Sequence, residues 1–174
     1  RMAPSLHVHA STQMTLTEPR GIEFVRRLGV ERVILARELS LREIERIRAE
    51  TDVPVEVFVH GALCVSYSGR CYLSYALGGR SANRGECAQP CRRPYKVRDR
   101  AGGVLAESIH ALSLKDLNLS AHLEALVGAG ATSFKIEGRL KTPEYVANIT
   151  RHYRTAIDAA VAARPVVFTP QDVE

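Results

Sequence analysis

Apolar positions along the chain alternate between two spacings: continuous runs of strand length, and stretches where they return every three or four residues. The runs at Leu6 to Ala10, Arg32 to Ala36, Val53 to Val59 and Thr132 to Ile136 predict strands. Between them, Ile22, Val25 and Leu28 mark a first helix, with Thr17 as its expected N-cap, Pro19 in its first turn and Gly29 as its stop. Leu41, Ile44 and Ile47 mark a second, introduced by Ser40 with Glu43 three residues on, the pattern of a capping box. A third helix is expected over Leu119 to Val127, ended by Gly128 and Gly130. The last, Pro143 to Ala160, has Thr142 as cap and a stripe of Tyr145, Ile149, Tyr153 and Ile157 for burial against the sheet. Tyr95 to Leu105 reads as a hairpin turning at Ala101-Gly102-Gly103.

Strands alternating with helices argue for a doubly wound sheet or a (β/α)8 barrel. The polar residues favour the barrel, because Gln13, Arg37 with Glu38, His60, and Lys135 with Glu137 and Arg139 lie at or just past the carboxyl ends of strands. Only about four or five βα units fit into the chain, where closure needs eight. The expected fold is therefore α/β, roughly the C-terminal half of a TIM-like barrel over residues 1–163. A Cys-rich insertion is expected at 61–106 after a strand, and 164–174 is expected to be a linker to a missing C-terminal region. Half a barrel leaves open strand edges, so self-association of the isolated chain is expected. Lys135, Glu137 and Arg139 are expected to share one mouth with His60.

Composition is that of a globular domain, 45% hydrophobic and 25% charged. No apolar run reaches the roughly 18 residues of a membrane span, and no secretory signal is visible, so a cytoplasmic location is expected. Charge changes the picture more. The chain carries +5 overall, yet the segment from Cys64 to Arg100 holds eight basic residues against two acidic ones. All four cysteines, Cys64, Cys71, Cys87 and Cys91, fall in that window. Four thiolates can serve one metal centre, as a structural zinc or an iron–sulfur cluster, and two disulfides or four unrelated thiols are the alternatives. Arg70, Arg80, Arg84, Arg92 and Arg93, interleaved with Tyr67, Tyr72, Tyr75 and Tyr95, suit phosphates and bases of single-stranded nucleic acid, or equally a solvated basic loop. His7 and His9 face one way on a strand and, with His60, could form a hydrolytic metal site.

The run Glu56-Val-Phe-Val-His-Gly61-Ala-Leu-Cys64-Val-Ser-Tyr-Ser-Gly69-Arg-Cys71-Tyr-Leu-Ser74 resembles the signature of the collagenase-like peptidase U-32 family. Ala10-Ser-Thr-Gln13, Arg37-Glu38-Leu39-Ser40, Asn83-Arg84-Gly85, Cys87-Ala-Gln-Pro-Cys91-Arg92 and Lys135-Ile-Glu-Gly-Arg139 are similar to its other blocks. The resemblance implies an oxygen-independent hydroxylation protein acting on transfer RNA uridine, a ribosomal RNA cytidine or a quinone precursor. It implies a 4Fe-4S cluster on Cys64, Cys71, Cys87 and Cys91, with zinc as the alternative, and prephenate as hydroxyl source in the RNA branches. Leu112-Ser-Leu-Lys-Asp116-Leu-Asn118 and Ser133 to Lys141 look most like the long branch acting on 23S ribosomal RNA cytidine. On this reading Glu137, Arg139 and His60 are the catalytic candidates, and Arg70, Arg80, Arg84, Arg92, Arg93 and Gln13 bind substrate. A collagenase-like metal-dependent peptidase, a tRNA uridine hydroxylation protein, and a cluster-bearing or RNA-binding module without chemistry of its own are the alternatives.

Overall fold

The computed structural model describes residues 5–162; the expected linker at 164–174 lies outside them. The order of elements is β1 (His9–Ala10), α1 (Pro19–Arg27), β2 (Arg32–Ile34), α2 (Leu41–Glu50), β3 (Val55–Gly61), α3 (Leu73–Gly78), β4 (Tyr95–Arg98), β5 (Val104–Ile109), β6 (Leu117–Asn118), α4 (Leu123–Gly128), β7 (Ser133–Ile136) and α5 (Pro143–Ala162). β1, β2, β3 and β7 run parallel and side by side, while β6 pairs antiparallel with the end of β3, and β4 and β5 form a separate hairpin. This is a mixed α/β fold, and no closed barrel forms among the described residues.

The helices cover one face of the sheet. Ile22 and Val25 of α1, Ile44 and Ile47 of α2, Leu123 and Leu126 of α4 and Tyr153 of α5 are buried against Val33, Leu35, Val55, Val57 and Val59. These are alternate strand positions and one stripe of each helix, the two periods that the sequence shows. Ser40 and Glu43 make the reciprocal bonds of a capping box at α2. Thr142 accepts from the Tyr145 backbone N–H at the start of α5.

Glu56, Phe58 and Lys135 belong to the opposite face. Ser133 donates to Glu56 at 2.9 Å, the Lys135 ammonium lies 3.3 Å from the same carboxylate, and the Arg37 guanidinium stacks 3.8 Å over the Phe58 ring.

Several boundaries differ from expectation. β1 shrinks to the two residues that pair with β2, and the N-cap of α1 is Glu18, without a side-chain cap bond, rather than Thr17. The third expected helix begins as a 3-10 turn at Ser120–His122 and becomes α-helical only from Leu123. β6 has too short an apolar signal to read, and it exists because Leu117 and Asn118 find partners in Gly61 and His60.

Candidate functional site

β3 leaves the sheet at Gly61, whose φ of +101° and lack of a side chain let the chain turn against β7; a Cβ there would stand 2.2 Å from the Glu137 carbonyl oxygen. The Glu137 N–H donates to the His60 carbonyl at 2.8 Å, so the ends of β3 and β7 are stitched backbone to backbone. From this point residues 62–116 make a long excursion carrying all four cysteines before β6 returns to the sheet.

Ser68 and Gly69 seat the excursion on the loops that follow β1 and β2. The buried Ser68 hydroxyl donates to Glu38 at 2.9 Å and accepts from Thr12 and from the Arg37 backbone, while its N–H donates to the other Glu38 oxygen. Its carbonyl accepts from the Thr15 hydroxyl at 2.7 Å. Gly69, at φ +74°, lies so close to the Gln13 carbonyl that a Cβ would come within 2.2 Å of its oxygen. Cys64 and Cys71 flank this seat. Further along, Ser74 accepts from the Ala88 N–H at 3.0 Å and Arg139 donates to the Cys87 carbonyl at 3.3 Å, which draws the second pair of cysteines inward.

The result is one cavity of about 100 Å³ whose wall includes Cys64, Cys71, Cys87 and Cys91, with Gln13, Arg37, Glu137 and Arg139. Each thiol is free and half-buried. Burial pushes the Cys64 thiol up, Cys71 and Cys87 add to the effect, and the Ser66 backbone and Arg37 oppose it. Burial likewise raises Cys91, with Cys64, Cys87 and Cys71 in the same direction and Arg92 against. Among the described residues no three His, Cys, Asp or Glu side chains converge on the point that one metal ion would occupy.

Arg37 and Glu137, a hundred residues apart, form an ion pair at 3.1 Å, each mostly buried, and the Glu137 carboxylate also accepts from the Arg139 N–H. Arg37 Nε is buried without a hydrogen-bond partner among the described residues. Gln13 donates to the Ala82 carbonyl at 3.3 Å. The sequence-predicted Gln13, Glu137, Arg139 and cysteines therefore meet. Arg37, Glu38 and Ser68 complete the arrangement; the first two stand at a strand end in the sequence, but nothing there marks Ser68 as their partner.

His60 is not in this mouth, contrary to expectation. Phe58 pairs with Lys135 but His60 pairs with Ile136, so β3 spends two residues against one of β7. That bulge turns the imidazole to the helix side, with Nδ1 at 3.2 Å from the Tyr153 hydroxyl and Nε2 at 3.0 Å from that of Tyr145. The Tyr153 hydroxyl also lies 2.9 Å from the Val59 carbonyl and 3.1 Å from Asn118 Oδ1, and a neutral imidazole, with one donor and one acceptor nitrogen, can serve both tyrosines. Burial lowers the His60 pKa, helped by His152 and Lys141 and opposed by Asp116, which agrees with a neutral ring. His7 is exposed and bonded to Glu31, away from His60.

The five arginines divide as well. Arg92 is committed internally, donating to Ser113 and to the carbonyls of Leu114 and Leu63, and pairing with Asp116 at 3.0 Å. Arg70, Arg80, Arg84 and Arg93 are exposed and make no ion pair among the described residues.

The chain is 49% identical over 161 residues to the 23S rRNA 5-hydroxycytidine synthase of Escherichia coli, covering 92% of this chain and 25% of that protein. It is 41% identical over 168 residues to a tRNA hydroxylation protein of Bacillus subtilis, covering 93% of this chain and 40% of that one. A protein of Porphyromonas gingivalis named collagenase is 39% identical over 167 residues, with 88% and 40% covered. The chain thus spans between a quarter and two-fifths of these relatives. No solved structure gives a significant match. The profile of peptidase family U32 matches residues 1–173, and the chain belongs to that family.

Proposed function

We propose that the intact protein hydroxylates a base of RNA, with a 23S ribosomal RNA cytidine as the first candidate and a tRNA uridine as the second. The observation that carries this reading is the meeting of four cysteines in one cavity beside Arg37, Glu137 and Arg139. Two of the relatives above are named for hydroxylation of ribosomal or transfer RNA, and both match nine-tenths of this chain. A 4Fe-4S cluster is compatible with the donor set: four half-buried thiols line one shared volume, and four cysteine thiolates are the usual ligands of such a cluster. Cys64, Cys71, Cys87 and Cys91 would hold it, and it would relay to an electron acceptor outside this chain the two electrons that replacing C–H by C–OH removes from the base. Arg37, Arg139 and Gln13 offer donors to a small carboxylate such as prephenate as the oxygen source.

The same reading makes β1, β2, β3 and β7 part of a TIM-like barrel. The cavity lies at their carboxyl ends, and the polar layer of Glu56, Lys135 and Ser133 occupies the face without helices, which a barrel would enclose. Among the described residues β1 and β7 each pair on one side only, and such open strand edges would drive the isolated chain to self-associate. Among the described residues no helix is long and apolar enough to cross a membrane, and we place the protein in the cytoplasm.

The test is anaerobic purification of the intact protein with iron and sulfide quantitation, together with mass spectrometry of RNA nucleosides from cells lacking it. The expected result is stoichiometric iron and sulfide, and one nucleoside short of an oxygen that wild type restores and Cys64→Ala does not. Unchanged RNA together with metal-dependent cleavage of collagen peptides would favour the collagenase reading instead.

A further inference from the structure

A second cleft backs onto the cysteine cavity. It has a volume of about 310 Å³ and is lined by Cys71, Tyr72, Tyr75, Ser81, Ala82, Asn83 and Arg84. Cys71, Ala82 and Asn83 line the cysteine cavity too, so the two spaces share a wall.

Tyr72 and Tyr75 stand at the N-cap and first turn of α3, three residues apart and so on one side of the helix. They are 67% and 61% exposed, unusually open for tyrosine, and neither ring packs on another aromatic among the described residues. Neither hydroxyl has a hydrogen-bond partner there. Nothing in the core needs these two rings where they are. Arg84 lies at the same cleft, and Arg70 and Arg80 belong to the same basic segment.

We propose that this cleft is a stacking site for an unpaired nucleobase adjacent to the one that reacts, with Tyr72 and Tyr75 supplying the ring faces and Arg84 the phosphate contact. Rings beside a cation that is free of ion pairs are the combination that single-stranded nucleic acid uses, since every base has a π-face and every linkage a charge. A duplex buries those faces, so the site selects single-stranded or extruded nucleotides. Because the cleft shares Cys71 with the cysteine cavity, a base held there positions its neighbour toward that cavity. This rests on the RNA reading above and deepens it, by requiring at least two unpaired nucleotides in the substrate.

The experiment measures binding of a single-stranded RNA oligonucleotide and its duplex to the intact protein by anisotropy across a salt series. Single strand is expected to bind more tightly than duplex. Tyr72→Ala and Tyr75→Ala should each weaken single-strand binding about tenfold, with Tyr72→Phe close to wild type because the ring remains. Arg84→Gln should lower the salt slope by about one unit. Phe24→Ala, at an exposed ring on α1, serves as control and should change nothing. Wild-type binding that both alanine variants leave intact overturns the stacking site alone. Absence of RNA binding by wild type overturns both the site and the RNA reading. Circular dichroism and iron content of the alanine variants are expected to match wild type, since both rings are exposed.

Discussion

In the sheet frame, Ile22, Ile44, Ile47, Val55 and Val59 are shut away from water, and burial of aliphatic surface holds the helices to the strands. In the excursion from residue 62 to 116, only Ser68, Ser74, Ala82 and Pro90 are buried. Two of those four are serines whose value lies in their hydrogen bonds. The frame is stabilised by a non-directional force that tolerates small shifts, whereas the excursion depends on a few directed contacts. Such a segment keeps its shape only while each anchor is in place.

The sharpest way to break that contrast is to damage each region in turn. Ile47→Ala leaves a cavity in the frame, and chemical denaturation should show a loss of about 2–5 kcal/mol in one cooperative transition. Gly69→Ala forces a Cβ onto the Gln13 carbonyl at a positive φ, at a cost of about 1–2 kcal/mol for the backbone alone, in addition to the clash. Far-UV dichroism should stay near wild type while bound iron falls severalfold; equal loss of helix content and iron would show that frame and excursion are one unit.

The two kinds of arginine sharpen the comparison within the excursion itself. Arg92→Gln removes the donor to the Leu63 and Leu114 carbonyls and one of the two cations beside Asp116, which keeps Lys141 at 3.7 Å, and should cost about 1 kcal/mol in thermal denaturation. Arg84→Gln, at an exposed side chain, should stay within about 0.5 kcal/mol and register only in RNA binding.

The smallest effect is on the helix side of the bulge. The His60 pKa in the folded protein lies below the ordinary value of 6.5, mainly through burial. Its contribution is therefore fully present above pH 6.5 and is lost as pH falls through the lowered folded value. Denaturation midpoints measured in steps below neutrality should decline for wild type, and His60→Gln should remove that part of the decline. A parallel decline in both proteins would mean that the ring carries no such linkage.

Those same residues show what a linear reading reaches. The capping box at Ser40 and Glu43, the Thr142 cap and the Tyr153 stripe are local, set by residues within a few turns, and the structure has them where the periodicity puts them. The meeting of the cysteines is non-local, yet their shared segment announces it. The Arg37–Glu137 pair and the Glu38–Ser68 seat join residues 100 and 30 positions apart, with no spacing to betray them. The turning of His60 away from the mouth depends on the register of two strands, a property that neither strand's own sequence contains. Fold class and the gathering of the cysteines are written in runs and clusters, while facing and partnership are written in pairs.

The seat at Gly69 also orders the protein's biosynthesis. Cys64 and Cys71 come into place only when Ser68 and Gly69 meet the loops after β1 and β2, which are made first. Cys87 is drawn in by Arg139, which lies beyond β7, so the cavity wall stays incomplete until that strand has emerged from the ribosome and paired with β3. Four thiols therefore stay apart through most of the synthesis of this chain, and whatever uses them together meets a nearly finished sheet rather than a nascent loop.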